Sequence, residues 1–124
     1  MILIDSYGWI EYFADGPLSD KYADYIREVD EESAITPAIV VYEVYKKIKN
    51  EVNEEAALEA YAQMMRTRII SLDDNLAITA ADFSLIYEFG MADAIVYATA
   101  RNEGAIVVTS DKHFKGLEGV EFIE

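Results

Sequence analysis

Short apolar runs and longer stretches with helical spacing alternate along this chain. The short runs predict buried strands at residues 2–5, 33–36, 69–72, 105–108 and 120–123. Between them, apolar residues three and four positions apart predict helices at 6–16, 19–30, from 36 onward, 53–66, 73–90 and 91–103. This alternation predicts an α/β fold: a three-layer sandwich with a central parallel sheet and helices on both faces.

Several helix boundaries carry recognisable signals. Ser6 and the pair Asp73-Asp74 are residue types that cap helix starts. Pro37 is expected in the first turn of the third helix, where its missing N–H costs nothing. Gly104 is expected to close the helix that precedes the clearest apolar run.

Length and composition limit the class of protein. With 124 residues, of which 52% are hydrophobic, residues 1–124 are expected to form one globular domain. The absence of cysteine excludes a disulfide framework and thiolate metal sites. No segment resembles a signal peptide or a membrane span, so a soluble, cytoplasmic protein with no membrane association is expected.

Four acidic residues stand in surroundings that differ from those of a solvated helix face. Asp5 and Asp111 follow apolar strands, so both are expected at the carboxyl edge of the sheet, where α/β proteins place their sites. Glu43 interrupts the apolar stripe of the third helix, and Asp93 lies among apolar residues near a helix start. Burying unpaired carboxylates costs several kcal/mol. We therefore predict that the four acids surround a cation.

A purely structural interpretation is available for three of these acids. Asp5 and Asp93 are suited to the start of a helix, and Asp111 is suited to a turn. Helix capping does not explain Glu43, because it lies in the middle of a helix on the apolar face.

The charge opposes a simple nucleic-acid binder. Twenty-four acidic against ten basic residues give a formal net charge of −14, whereas phosphate contacts usually come from Lys and Arg. A divalent cation that mediates phosphate contact would reduce this conflict. Lys112 and Lys115 are the predicted phosphate contacts beside Asp111, while Lys46, Lys47 and Lys49 are better explained as a solvated helix face.

Four segments together resemble the PIN-domain family, most closely its VapC-type ribonuclease toxins. They are the Ile2-Leu3-Ile4-Asp5-Ser6 run followed by Trp9-Ile10, Thr36-Pro37 leading to Glu43, Met91-Ala92-Asp93-Ala94, and the run from Val107 to Phe114. The resemblance implies that Asp5, Glu43, Asp93 and Asp111 bind Mg²⁺ or Mn²⁺ and cut RNA, and that Thr109 supports the site. It also implies a homodimer and an antitoxin partner. Ser6 is expected to support Asp5 or to cap its helix.

The chemistry of these residues favours metal-activated hydrolysis. Mg²⁺ and Mn²⁺ prefer oxygen ligands, and a bound ion lowers the pKa of its water, which can then attack phosphorus. Two alternatives fit less well. A receiver domain carries paired acids after its first strand, and a haloacid-dehalogenase-type phosphatase needs a second Asp where this chain has Tyr7. A non-catalytic PIN-like binding module, for RNA or protein, remains the third alternative: the net charge favours it, and the presence of all four acids argues against it.

Overall fold

All strands of the sheet run in the same direction. The structure is a computed structural model that describes residues 1–124. Its strands are β1 (Ile2–Ile4), β2 (Ala34–Pro37), β3 (Arg68–Ile70), β4 (Ile106–Thr109) and β5 (Val120–Phe122). They form one sheet in the order β3-β2-β1-β4-β5, and every neighbouring pair is parallel.

Pairs of helices connect the first four strands. The helices are α1 (Ser6–Phe13), α2 (Ser19–Ile26), α3 (Ala38–Glu51), α4 (Glu54–Met64), α5 (Asp74–Tyr87) and α6 (Met91–Glu103). A short 3₁₀ helix (Lys112–Phe114) lies between β4 and β5. No helix has both the length and the apolar character of a membrane span.

Both faces of the sheet are covered. Leu3 and Ile4 of β1 are buried, as are Val107 and Val108 of β4. Because successive side chains of a strand point to opposite faces, burial of consecutive residues requires a layer on each side. The predicted three-layer α/β sandwich is therefore confirmed.

Several element boundaries differ from the sequence prediction: α1 ends at Phe13 and not near residue 16, and β3 spans Arg68–Ile70 and not 69–72. Helix α2 ends at Ile26 and not near residue 30, because the Asp30 carboxylate accepts hydrogen bonds from the N–H groups of Glu32 and Ser33 at 2.9 and 2.8 Å. Such a local turn competes with the helix. Helix α5 ends at Tyr87, before Gly90, because Glu88 is in the left-handed region with φ 59°. Pro37 ends β2 and immediately precedes α3.

The sheet has a topological switch point between β1 and β4. From β1 the chain builds outward through β2 to β3, then returns to add β4 and β5 on the opposite side of β1. Ile4 pairs with Val108 at the carboxyl ends of these two strands. In open parallel sheets, the crevice outside the strand ends at such a point is the usual place for a site.

Candidate active site

Asp5 follows β1 directly and is buried, with 3% of its surface exposed. It is the N-cap residue of α1, the role for which Ser6 was predicted, and its Oδ1 accepts a hydrogen bond of 3.2 Å from the Gly8 N–H. Its Oδ2 accepts a second hydrogen bond, of 2.6 Å, from the Thr109 hydroxyl. Capping therefore accounts for one oxygen of this carboxylate, while the other faces β4.

Thr109 joins Asp5 to a second buried acid. Its Oγ1 also accepts a hydrogen bond of 2.9 Å from the backbone N–H of Asp111. Asp111 caps the 3₁₀ helix by accepting from the His113 N–H at 3.0 Å, and is itself buried. The parallel pairing of β1 with β4 thus brings Asp5 and Asp111 to one edge of the sheet.

Asp93 lies in the first turn of α6 and is half-buried. Its Oδ2 is 2.8 Å from Nδ1 of His113, and the same nitrogen is 3.4 Å from Oδ1 of Asp111. Oxygen or nitrogen atoms of Asp93, Asp111 and His113 all lie within 4.8 Å of one another. Three groups able to bind a metal therefore surround one small volume.

Glu43 is half-buried on α3 and lines the same groove as Ser6. Burial raises the pKa of Glu43 above its ordinary value, Ser6 lowers it, and the charges of Asp93 and Asp111 raise it further. The structure thus places Asp5, Asp93 and Asp111 at one edge of the sheet, and Glu43 lies near enough for the charges of Asp93 and Asp111 to act on it.

The carboxylates are held at an electrostatic cost. Burial is the largest cause that raises the pKa of Asp5 from 3.8 to about 7, and the hydrogen bonds from Thr109 and Gly8 oppose it. The charges of Asp111 and Asp93 raise it further. Burial is also the main cause of the raised pKa of Asp93. Buried carboxylates that lie close together ionise less readily unless a positive charge is nearby. Their oxygen atoms are the ligands that a hard divalent cation prefers.

Tyr7 lies at the rim of this cluster, with 52% of its surface exposed. Its pKa is raised chiefly by the charge of Asp111, then by burial and by Asp93, Asp5 and Glu43. The Tyr7 hydroxyl therefore lies in the field of all four acids. Sequence reasoning overlooked this residue as a site residue, although its position two residues after Asp5, at the start of a helix, was the available signal.

A groove of about 760 Å³ lies between α1 and α3, and Glu43 is the one of the four acids that lines it. Ser6, Tyr7 and Glu43 line its inner end, and Tyr42, Lys46 and Lys47 of α3 line its outer part. The lining also includes Glu11 and Glu51, and Lys47 forms an ion pair of 2.8 Å with Glu51.

The sequence matches the model of the PIN domain over residues 2–120. The chain belongs to the PIN domain family. No curated protein sequence matches this PIN domain to a significant degree.

Solved structures of toxin–antitoxin proteins are similar to this PIN domain along nearly its whole length. One is a toxin–antitoxin complex from Klebsiella pneumoniae, with a TM-score of 0.81, 21% identity and coverage of 98% of this chain and 96% of that chain. Another is VapC20 of Mycobacterium tuberculosis, a toxin that cleaves the sarcin–ricin loop, with a TM-score of 0.82, 17% identity and full coverage of both chains. VapBC2 from Rickettsia felis, bound to a DNA fragment of its promoter, has a TM-score of 0.79, 17% identity and full coverage of both chains.

The two lysines predicted as phosphate contacts differ in their surroundings in this PIN domain. Both are exposed beside Asp111. Lys115 forms an ion pair of 3.2 Å with Glu124 and lies 5.1 Å from the centre of the Phe122 ring, whereas Lys112 has no such partners. Of these two lysines, Lys112 is therefore the one whose ammonium group is not engaged by another side chain.

Proposed function

We propose that the protein is a Mg²⁺- or Mn²⁺-dependent endoribonuclease and the toxin of a toxin–antitoxin pair. The proposal rests on the placement of Asp5, Asp93 and Asp111 at the switch point of a PIN-domain sheet, with Glu43 near enough for the charges of Asp93 and Asp111 to act on it. The similarity to VapC20, a toxin that cleaves the sarcin–ricin loop, supports RNA as the substrate. Residues 1–124 act as one nuclease domain, and RNA cleavage takes place in the cytoplasm.

The four carboxylates would hold the cation, and when bound it supplies a water activated for in-line attack on phosphorus. The chain's own residues prepare the ligands. Thr109 and the Gly8 N–H hold the two oxygens of Asp5 in place and favour its ionised form. Ser6 lowers the pKa of Glu43, and the Thr109 hydroxyl fixes the backbone of Asp111.

The groove beside the acids is the proposed path of the RNA strand. Tyr7 and Tyr42 present exposed aromatic rings on which bases can stack, and Lys46 can contact a phosphate. This path adds α3 to the contacts predicted from sequence. Lys112 and Lys115, which follow β4 in the chain, remain predicted phosphate contacts outside this groove.

The partners proposed are an antitoxin protein and a second copy of the chain. The similarity to a toxin–antitoxin complex and to VapBC2 supports the antitoxin. The exposed apolar side chains of α5 support an interface, since Leu85 is 83% exposed and Ile86 is 67% exposed. Sedimentation of the wild type and of Leu85→Glu tests the homodimer. A monomeric wild type would contradict it.

An RNA-cleavage assay tests the enzymatic function. The wild type should cut RNA with Mg²⁺ or Mn²⁺ and should lose this activity in EDTA. Asp5→Asn keeps the shape and hydrogen bonding of the side chain but removes its charge, so cleavage should fall by at least about a hundredfold, because a metal-bound nucleophile is worth several kcal/mol. Asp73→Asn is the matched control, because Asp73 caps α5 as Asp5 caps α1 and lies outside the site.

Three results would contradict the proposed metal-dependent nuclease. Cleavage that persists in EDTA, or in Asp5→Asn at the wild-type rate, would place the chemistry elsewhere. RNA binding without any cleavage under these conditions would favour the non-catalytic binding module.

A further inference from the structure

The only histidine of the chain lies between two of the four acids. Its Nδ1 is 2.8 Å from Oδ2 of Asp93 and 3.4 Å from Oδ1 of Asp111. The imidazole thus bridges these two carboxylates. His113 Nδ1 therefore lies between two of the carboxylates that are the proposed metal ligands.

His113 is held there by the fold. Its backbone N–H donates to Asp111, so the 3₁₀ helix fixes the spacing between the two residues. The next residue, Phe114, is buried in the core, where its ring centre is 5.4 Å from that of Phe89. This anchor fixes the His113 backbone, while 70% of its side chain is exposed and free to turn about its own bonds.

The distances fit the coordination geometry of an octahedral ion. Neighbouring ligand atoms at about 2.1 Å from such an ion are about 3.0 Å apart, that is, √2 times the bond length. The two separations of Nδ1, 2.8 and 3.4 Å, lie on either side of this value. The three ligand atoms lie within 4.8 Å of one another, so Nδ1 and the two carboxylate oxygens can form one triangular face of the coordination shell once they close around the ion.

An imidazole nitrogen changes which ion the site prefers. Carboxylates and water suit Mg²⁺ and Mn²⁺ alike, whereas imidazole suits transition metals and Mg²⁺ retains oxygen ligands. We propose that His113 is a nitrogen ligand of the cation, on the same face as Asp93 and Asp111, and that it makes the site prefer Mn²⁺ to Mg²⁺. This inference rests on the proposed function, because it assumes a cation at the four acids.

Pulsed electron paramagnetic resonance of Mn²⁺ bound to the untagged full chain tests this ligand directly. Coupling to ¹⁴N should appear in the wild type and disappear in His113→Ala. Because the chain has one histidine and no other imidazole, the source of the signal is unambiguous. His113→Asn retains a polar group that can bridge Asp93 and Asp111 but removes the imidazole, so it should also lose the coupling.

Calorimetric titration gives the second measurement. His113→Ala should weaken Mn²⁺ binding by about tenfold or more and Mg²⁺ binding by less than about threefold, as expected for loss of a ligand that only one ion uses. Lys112→Ala, next to His113 and also exposed, controls for the loss of a basic side chain.

The outcomes separate this inference from the proposed function. Mn²⁺ binding without nitrogen coupling, or an equal loss of both ions in His113→Ala, would overturn the histidine ligand and leave the nuclease intact. Failure of the wild type to bind either ion would overturn the proposed function itself.

Discussion

The hydroxyl of Thr109 donates a hydrogen bond of 2.6 Å to Oδ2 of Asp5, across the carboxyl ends of the two central strands. The two residues are 104 positions apart in sequence, and the register that pairs Ile4 with Val108 places them side by side. This bond acts against burial, which raises the pKa of Asp5 to about 7. Thr109 therefore helps to keep Asp5 ionised near neutral pH.

Thr109→Val should shift the pH dependence of metal binding upward. The substitution preserves the side-chain shape but removes the hydrogen bond that lowers the Asp5 pKa, so protons should compete with the cation at higher pH. A hydrogen bond to a charged group is worth enough to move the midpoint by about one pH unit. Calorimetric titration of Mg²⁺ between pH 6 and 9 measures it.

Thr99→Val is the control for that experiment. Thr99 is also buried, and its hydroxyl donates to the Ile95 carbonyl within α6, away from Asp5. The pH midpoint of Mg²⁺ binding in Thr99→Val should equal that of the wild type. If Thr109→Val also kept the wild-type midpoint, the hydrogen bond would have no influence on the ionisation of Asp5.

Asp5→Asn should stabilise the metal-free protein, increasingly so as the pH rises from 5 to 7. Folding raises the Asp5 pKa from 3.8 to about 7, so over this interval the folded state retains a proton that the unfolded state has lost. The free energy of unfolding of the wild type therefore falls as the pH rises from about 4 to about 7. The loss is a few kcal/mol, at about 1.4 kcal/mol per pKa unit. The Asn variant avoids this loss.

Urea unfolding in EDTA at several pH values measures this difference. The gap in unfolding free energy between Asp5→Asn and the wild type should widen up to about pH 7 and level off above it. A gap that is constant with pH would mean that Asp5 is ionised as readily in the folded chain as in the unfolded one.

The sequence was sufficient for the sheet and for the acids at its edge, because both depend on local patterns. Apolar runs identified five strands, and the rule that sites lie beyond the carboxyl ends of parallel strands selected Asp5 and Asp111. Glu43 was identified because a charge interrupts an otherwise apolar helix face. Each of these signals is contained within a few neighbouring residues.

The features that the sequence did not reveal depend on contacts between distant segments. The importance of Tyr7 is visible only once the fold places the charges of Asp111, which follows β4, and of Asp93 in α6 near it. The bridging position of His113 depends on how α6 packs beside β4. The early end of α2 depends on a hydrogen-bonded turn at Asp30, which helix spacing alone does not predict.

Gly8→Ala should destabilise the fold and disturb the site. A Cβ atom at this position would come within 2.5 Å of the Tyr22 ring and 2.6 Å of Ile4, both buried. Tyr22 in turn donates a hydrogen bond of 2.7 Å to Ser110, which lies beside Asp111. Such overpacking costs about 1–3 kcal/mol, measurable by urea unfolding.

Gly90→Ala provides the matched control for Gly8. Nothing lies within 4 Å of a Cβ atom at Gly90, which is also near the start of a helix. Its cost should stay below about 1 kcal/mol, the usual effect at a helix cap. Equal destabilisation by the two substitutions would contradict the close approach of α1 to Tyr22.

Lys46→Ala should weaken RNA binding, whereas Lys49→Ala should not. The two lysines occupy the same helix and each lies over a tyrosine ring, and Lys49 also forms an ion pair of 3.7 Å with Glu54. Lys46 lies 5.4 Å from the centre of the Tyr42 ring and Lys49 lies 5.4 Å from that of Tyr45. Only the first pair lines the groove that leads to Glu43. The comparison therefore separates a phosphate contact from the general effect of removing one positive charge from a chain with a net charge of −14.

The salt dependence of binding provides the measurement. Fluorescence anisotropy with a labelled single-stranded RNA, on an Asp5→Asn background that prevents cleavage, gives the dissociation constant at several salt concentrations. Loss of one phosphate contact to a single strand should reduce the slope of log K against log salt by about 0.7. Lys46→Ala should show this reduction and Lys49→Ala should retain the full slope. Equal slopes for these two variants would mean that Lys46 belongs to the solvated face of α3. A reduced slope in Lys112→Ala alone would mean that the RNA lies on the β4 side of the acids.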